Sequence, residues 1–155
     1  MFERTCGNCT ACCKTHSVPE VQSSSGKLCR NCIFGKGCSV YDDRPFACQR
    51  YSCVWLQGKG GENDRPDRLK IVMDYLSISF NGIEVPIFNF WEVERGAIES
   101  PRTQQIMLAN VEAGNIVVAR IIREPSAYYF PKGIFSPDER ESFILTAEGG
   151  DCTFD

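Results

Sequence analysis

At 155 residues, with 43% hydrophobic and 11% aromatic side chains, the chain is about one domain long and holds enough apolar material for a core of its own. No apolar run is long enough to cross a bilayer, and the start, MFERTCGNC, lacks the basic and apolar regions of a secretory leader, so the expected setting is the cytoplasm, with no membrane attachment. The formal net charge of −3 divides unevenly: residues 1–60 carry eight Lys or Arg against four Asp or Glu, a balance of +4, and residues 61–155 carry nine against sixteen, or −7.

Nine of the ten cysteines lie between Cys6 and Cys53. Thiols at that density are either a disulfide framework or a metal site, and a reducing compartment favours metal. The spacing points the same way. Cys6, Cys9, Cys12 and Cys13 form CxxCxxCC, and Cys29 and Cys32 form a second CxxC. A two-residue gap lets one tight turn present two thiolates to the same ion, whereas cysteines so close make poor disulfide partners. Gly7 and Asn8 suit such a knuckle. The only histidine, His16, follows three residues after Cys13. It is read as exposed on a loop, with ligation or a hydrogen bond to a ligand as the alternatives.

A polar loop over 19–27, PEVQSSSGK, separates the first cysteines from LCRNCIFGKGC, where Gly35 and Gly37 mark a tight turn before Cys38. Cys48 and Cys53 follow, with Asp43-Arg44-Pro45 reading as a turn or helix start. Tyr41, Phe46, Tyr51, Trp55 and Leu56 are expected to pack as the apolar skin of a small metal-held core. Arg44 either donates charge-assisted hydrogen bonds to the thiolates or pairs with Asp42 or Asp43.

Residues 57–66, QGKGGENDRP, form an internal boundary, dividing a Cys-rich segment, 1–58, from an α+β segment, 67–155, with the two packed together as one domain. Beyond it, runs 69–80 and 83–91 flank Asn81-Gly82, a strong hairpin signal, and Pro86 places the second run at an edge or bulge. Ser100-Pro101 predicts a helix over 101–113 that ends at Gly114. Strands are predicted over 115–123 and 127–130. Ser136 to Glu139 is a capping-box pattern that opens a closing helix to about residue 147, stopped by Gly149-Gly150. Cys152, in the tail, is read as a free thiol. The fold expected is α+β: an irregular Cys-rich metal-binding N-terminal half packed on a small antiparallel sheet with two helices on one face.

Nine clustered cysteines are enough for two Cys₄ zinc sites with one thiol left over, or for one binuclear cluster; the competing group is a [4Fe–4S] cluster, held by CxxCxxC and a remote cysteine such as Cys48. The ordered set Cys6, Cys9, Cys12, Cys13, then Cys32 and Cys38, then Tyr41, Arg44-Pro45 and Cys48, closed by Cys53 and Trp55, resembles the CxxCxxCC cysteine-cluster family. That family is described as a zinc- or iron-chelating domain related to a cluster in flagellin lysine methylases. The resemblance spans residues 6–56 and implies metal chelation by those cysteines, without supplying a substrate. Cys29 and Cys53 are assigned as ligands by spacing alone.

One histidine, no phosphate-binding glycine loop and no HExxH leave no hydrolytic zinc site or nucleotide site spelled out. The leading expectation is therefore a metalloprotein whose metal, two zinc ions in the first instance, is mainly structural and whose surface binds another protein. The alternative is an iron–sulfur component of a protein-modifying or redox enzyme. Nucleic acid is disfavoured, because eight thiolates around two divalent ions carry about −4 and cancel the N-terminal surplus of +4.

Overall fold

The computed structural model describes residues 3–149. Its first third contains little regular structure, as its cysteines, glycines and polar residues dictate. α1 (Cys12–Thr15) is one helical turn, β1 (Cys32–Ile33) and β2 (Gly37–Cys38) form a two-stranded antiparallel ribbon, and α2 (Phe46–Arg50) is another short turn entered through Pro45. The boundary segment is ordered. The Arg102 guanidinium grips the Asp64 carboxylate from Nε and Nη2 at 2.8 and 2.7 Å, and the Gly61 amide donates to it at 2.8 Å. These hydrogen bonds, Arg102 first, hold Asp64 below the usual carboxylate range although its burial opposes them. α3 (Pro66–Leu69) then leads into the sheet.

β3 (Ile71–Phe80) and β4 (Ile83–Glu92) pair antiparallel from Ile71↔Glu92 to Phe80↔Ile83. Asn81 and Gly82 between them both take positive φ, +50° and +76°, as a turn matched to strand twist requires. α4 (Pro101–Glu112) starts at Ser100, whose hydroxyl accepts from the Thr103 amide, and stops at Gly114, φ +93°. β5 (Ile116–Arg120) follows, then β6 (Ala127–Tyr129), and α5 (Pro137–Gly149) opens with the expected reciprocal cap between Ser136 and Glu139. Gly150 and Cys152 lie outside the described residues.

The strand order is β3-β4-β5-β6, and the class is α+β, but the sheet is mixed and not wholly antiparallel: β4 and β5 run parallel. The crossover through α4 is the reason, since a strand reached across a helix returns in the same direction. β5 reaches β4 only from Ile87 onward, so Pro86 sits where that side of β4 has no partner strand and its missing N–H costs nothing. The two long helices also lie on opposite faces, not one. Met107 of α4 packs with Met73, Phe88, Phe90, Val117 and Ala119, whereas Phe143 of α5 packs with Phe80, Ile87, Ile116 and Val118. These two sets alternate along each strand, as side chains on opposite faces must.

The α5 face is shared. At its other end Val72, Trp91 and Val93 receive Ala11, Cys9, Tyr51 and Cys53 from the Cys-rich segment. The backbone joins there too, with the Val54 amide donating to the Met73 carbonyl at 2.9 Å and Lys14 Nζ donating to the Val93 carbonyl at 2.6 Å.

Candidate metal centre

The two CxxC units form the knuckles that their spacing predicts. The Cys9 amide donates to the Cys6 carbonyl and the Cys32 amide to the Cys29 carbonyl, each at 2.9 Å, closing two equivalent turns. Gly7 has φ +52°, and the Arg65 guanidinium ties the first knuckle to the protein by donating to the Cys6 carbonyl at 3.0 Å and to Asn8 Oδ1 at 2.6 Å. A third bond, from the Cys29 amide to the Cys13 carbonyl at 2.9 Å, draws the knuckles together across the 19–27 loop. The β1–β2 ribbon also approaches the first knuckle closely: a Cβ on Gly37 would lie 3.3 Å from the Gly7 carbonyl oxygen.

All nine cysteines, Cys6, Cys9, Cys12, Cys13, Cys29, Cys32, Cys38, Cys48 and Cys53, line a single cavity of about 240 Å³, closed elsewhere by apolar groups such as Val18, Val40, Leu56 and Val72. None of the nine is in a disulfide. As placed, no three His, Cys, Asp or Glu side chains among the described residues stand close enough together to hold a metal ion. The thiols converge on one space without forming a finished coordination shell.

Electrostatics sorts them. Burial, then the charge of Cys9, raises the Cys6 thiol, against the opposing charge of Arg44 and a hydrogen bond from Tyr41. Burial also raises Cys53, with Cys6 and Cys9 adding to it. On the other side, Cys13 is raised by its hydrogen bond with Cys12 and then by burial. Cys32 is pushed up to about 11 by burial and then by Cys13. Cys48 is raised by burial and then by Cys13, Cys29 and Cys38. Two neighbourhoods emerge, Cys6 with Cys9 and Cys53, and Cys13 with Cys29, Cys32, Cys38 and Cys48; Cys13, which also acts on Cys6, and Cys12, hydrogen-bonded to Cys13, link the two. Thiols that oppose one another's ionisation in a buried space lack positive charge, which a divalent cation would supply.

Arg44 faces the first group. Its guanidinium lies 4.0 Å from the Tyr41 ring centroid and donates to the Tyr41 carbonyl at 3.2 Å, so its role beside Cys6 is electrostatic. Trp55, another lining residue, is held by Arg4, whose guanidinium stands 4.7 Å from its ring centroid and donates to its carbonyl at 2.8 Å. The aromatic residues of this segment divide. Tyr51, Trp55 and Leu56 turn inward, as expected, but Tyr41 and Phe46 are exposed, Phe46 to 65%, because the short α2 directs its Cys48 side at the cavity and leaves Phe46 outside.

His16 is not the loop histidine expected from sequence. It lines the cavity, half-buried, with its ring 4.5 Å from Tyr51 and 4.8 Å from Trp91. Nδ1 meets the Thr15 hydroxyl at 2.7 Å and Nε2 meets Asp74 at 2.8 Å, so both nitrogens are engaged and ligation would require one of these bonds to break. Asp74, 5% exposed on β3, is the residue that the sequence reading missed. It also accepts from the Tyr51 hydroxyl at 2.9 Å, Trp91 Nε1 at 3.0 Å and Asn89 Nδ2 at 3.2 Å. Burial works to raise its pKa, yet the His16 hydrogen bond and charge, with Trp91 and Tyr51, hold it below the usual carboxylate range. Tyr51, in turn, is pushed up by burial and by Asp74. The chain of bonds continues from Asn89 Oδ1 to Arg120 Nε at 3.1 Å and from Arg120 Nη1 to Glu148 at 2.8 Å, where Tyr128 also donates.

Comparison of the chain with known protein families, with characterised proteins and with solved structures finds no match in any of the three.

Proposed function

We propose that this protein is a metal-binding cysteine-cluster protein in which the metal is mainly structural and the metal-held segment serves an interaction with another protein. The observation that carries the reading is the convergence of nine unpaired thiols, contributed by α1, the two knuckles, the β1–β2 ribbon, α2 and the segment after it, on one cavity. Covalent pairing would need only two thiols at a time. Gathering nine from a segment of 48 residues suits coordination. Cys6, Cys9 and Cys53, with Cys12 adjoining, would hold one zinc ion, and four of Cys13, Cys29, Cys32, Cys38 and Cys48 a second. What the ions supply there is positive charge and cross-links between loops that bury little apolar surface. A cytoplasmic setting belongs to this reading, because it keeps the thiols reduced. No helix among the described residues is long and apolar enough to cross a membrane.

The cavity's size favours one second reading. At about 240 Å³ it has room for a group larger than single ions, and a [4Fe–4S] cluster held by thiolates from both neighbourhoods suits that volume. The motif resemblance of residues 6–56 is compatible with either metal. Elemental analysis with the visible spectrum of protein purified without oxygen separates them. Colourless protein with about two zinc per chain supports the first reading, brown protein with iron and acid-labile sulfide supports the second, and a chain free of both metals overturns the proposal.

A further inference from the structure

The Cys-rich segment turns an unusual amount of apolar surface outward. Leu28, Ile33, Phe34, Tyr41 and Phe46 are 42%, 50%, 73%, 46% and 65% exposed, five large apolar side chains within 19 residues. They are not scattered in space. Leu28, Ile33, Tyr41 and Phe46 each adjoin in the chain a residue that lines the cavity, Tyr41 lines it itself, and Phe34 extends from Ile33 at the ribbon turn, so the stretch forms the cavity's outer rim. Phe34 stands at the crest of the β1–β2 ribbon beside Gly35, φ +71°, where the Lys36 amide closes the turn on the Ile33 carbonyl at 2.9 Å. The turn geometry thus holds Phe34 outward. Phe46 is the first residue of α2, and its ring lies 5.3 Å from the Arg50 guanidinium.

Cations are interleaved with these side chains along the chain, Arg44 over the Tyr41 ring and Arg50 over the Phe46 ring. Lys27, Arg30, Lys36 and Arg50 are exposed and Arg44 half-exposed, against two acidic residues in the same stretch, Asp42 and Asp43. We infer that this rim is a docking surface for an acidic segment of another polypeptide, one carrying aromatic or aliphatic side chains among its carboxylates. The inference deepens the proposed interaction role and rests on it, since the metal-held loops are what fix the rim. Three features select this occupant. A second copy meeting rim to rim would set five cations against five, which repels. The closely spaced phosphates of a nucleic acid or an anionic bilayer would meet Asp42 and Asp43, which spaced carboxylates can avoid, and the aliphatic Leu28 and Ile33 offer no stacking face for a base. A polypeptide with apolar side chains and spaced carboxylates satisfies both the apolar and the cationic groups. Thiolate charge does not reverse this, because it lies inside the cavity while the cations are at the surface where a partner's side chains meet them.

Peptides displayed from a random library are panned against the metal-replete full chain, and the best is resynthesised and titrated. Enriched peptides should be acidic and carry aromatic or aliphatic residues. Their binding should weaken more than about tenfold on Phe34→Ser/Phe46→Ser and by a similar factor on Lys36→Glu/Arg50→Glu, a charge reversal with no apolar loss. Metal content of every variant is measured alongside. A variant that keeps its metal and loses the peptide supports the surface; if the native chain itself holds no metal, the metal reading fails while the peptide result still judges the rim. Neutral or basic enriched peptides, binding to either variant as tight as to the native chain, no enrichment at all, or tighter binding of oligothymidylate or phosphatidylserine vesicles than of any peptide would each overturn the inference.

Discussion

Asp74 joins the cysteine segment to the sheet, and its removal should be among the costliest single changes in the chain. Four donors converge on its carboxylate, from His16, Tyr51, Trp91 and Asn89, at 2.8 to 3.2 Å, in a site where Asp74 itself is 5% exposed. Hydrogen bonds to a charged group contribute about 1.5–3 kcal/mol each, but they share one acceptor, and His16 retains some access to water, so they do not add. The better guide is the loss on deleting one partner of a buried pair. Asp74→Ala should destabilise by about 3–5 kcal/mol, a large part of a total near 5–15 kcal/mol. Asp74→Asn, which keeps the shape and one acceptor oxygen, should lose about 2 kcal/mol. Urea unfolding followed by tryptophan fluorescence reads both, since Trp91 is a direct partner. The pH dependence adds a sign. Because the folded-state carboxyl titrates below its unfolded value near 4, ionised Asp74 favours the folded state above that pH, and the contribution is lost as pH falls through the folded value. Wild-type protein should therefore lose stability faster than Asp74→Asn below about pH 4. A loss under about 1 kcal/mol for Asp74→Ala, or parallel acid profiles for the two proteins, would refute the reasoning.

Further outcomes follow from the same geometry. Chelation under reducing conditions should remove amide-exchange protection across residues 6–56 while β3, β4 and β5 stay protected, since the former bury little aliphatic surface and a structural zinc contributes on the order of 10 kcal/mol; protection retained in the cysteine segment would contradict this. The raised thiols must release protons to bind metal, so apparent zinc affinity in competition titrations should tighten by more than about tenfold per pH unit between about pH 6 and 8, and a flat profile would argue against thiolate ligation. Cys152→Ser should keep the full metal content, and loss of one metal per chain would show that the ligand set extends into the tail. Gly82→Ala forces a Cβ into φ +76° and should cost about 1 kcal/mol or more, read as a lower midpoint in urea; an unchanged midpoint would contradict the turn assignment.

Local signals were legible where the chemistry is local. Asn81-Gly82, Ser100-Pro101 with Gly114, and Ser136 with Glu139 each name a backbone geometry that few other residues supply, and each marks an element boundary in the structure. Cys6-x-x-Cys9 and Cys29-x-x-Cys32 similarly define their own turns. Relations between elements were less legible. Parallel pairing of β4 and β5 was implied by the strand–helix–strand order around α4, and the expectation of an antiparallel sheet gave the hairpin too much weight. Asp74 was hidden differently. An aspartate inside the apolar run IVMDYLSISF, an asparagine inside IFNFWE and an arginine closing IVVAR are each out of pattern, and only the register, Asp74 opposite Asn89 and Trp91 opposite Arg120, brings them into one chain with the sole histidine. The exposure of Phe46 carried no sequence signal, because an aromatic two residues from a cysteine reads as core until the cavity shows which way the cysteine points.

The central claim, that the nine clustered thiols are metal ligands and not disulfide partners, is tested most directly by titrating free thiols in native protein, then in denaturant with chelator and no reductant, with metal released in the second step measured in parallel. The account predicts that thiols in the Cys6–Cys53 segment are unreactive in the native protein, that all ten thiols react in chelator alone, and that metal appears in step with them. Thiols that become reactive only after a reductant is added, with no metal released, would contradict it.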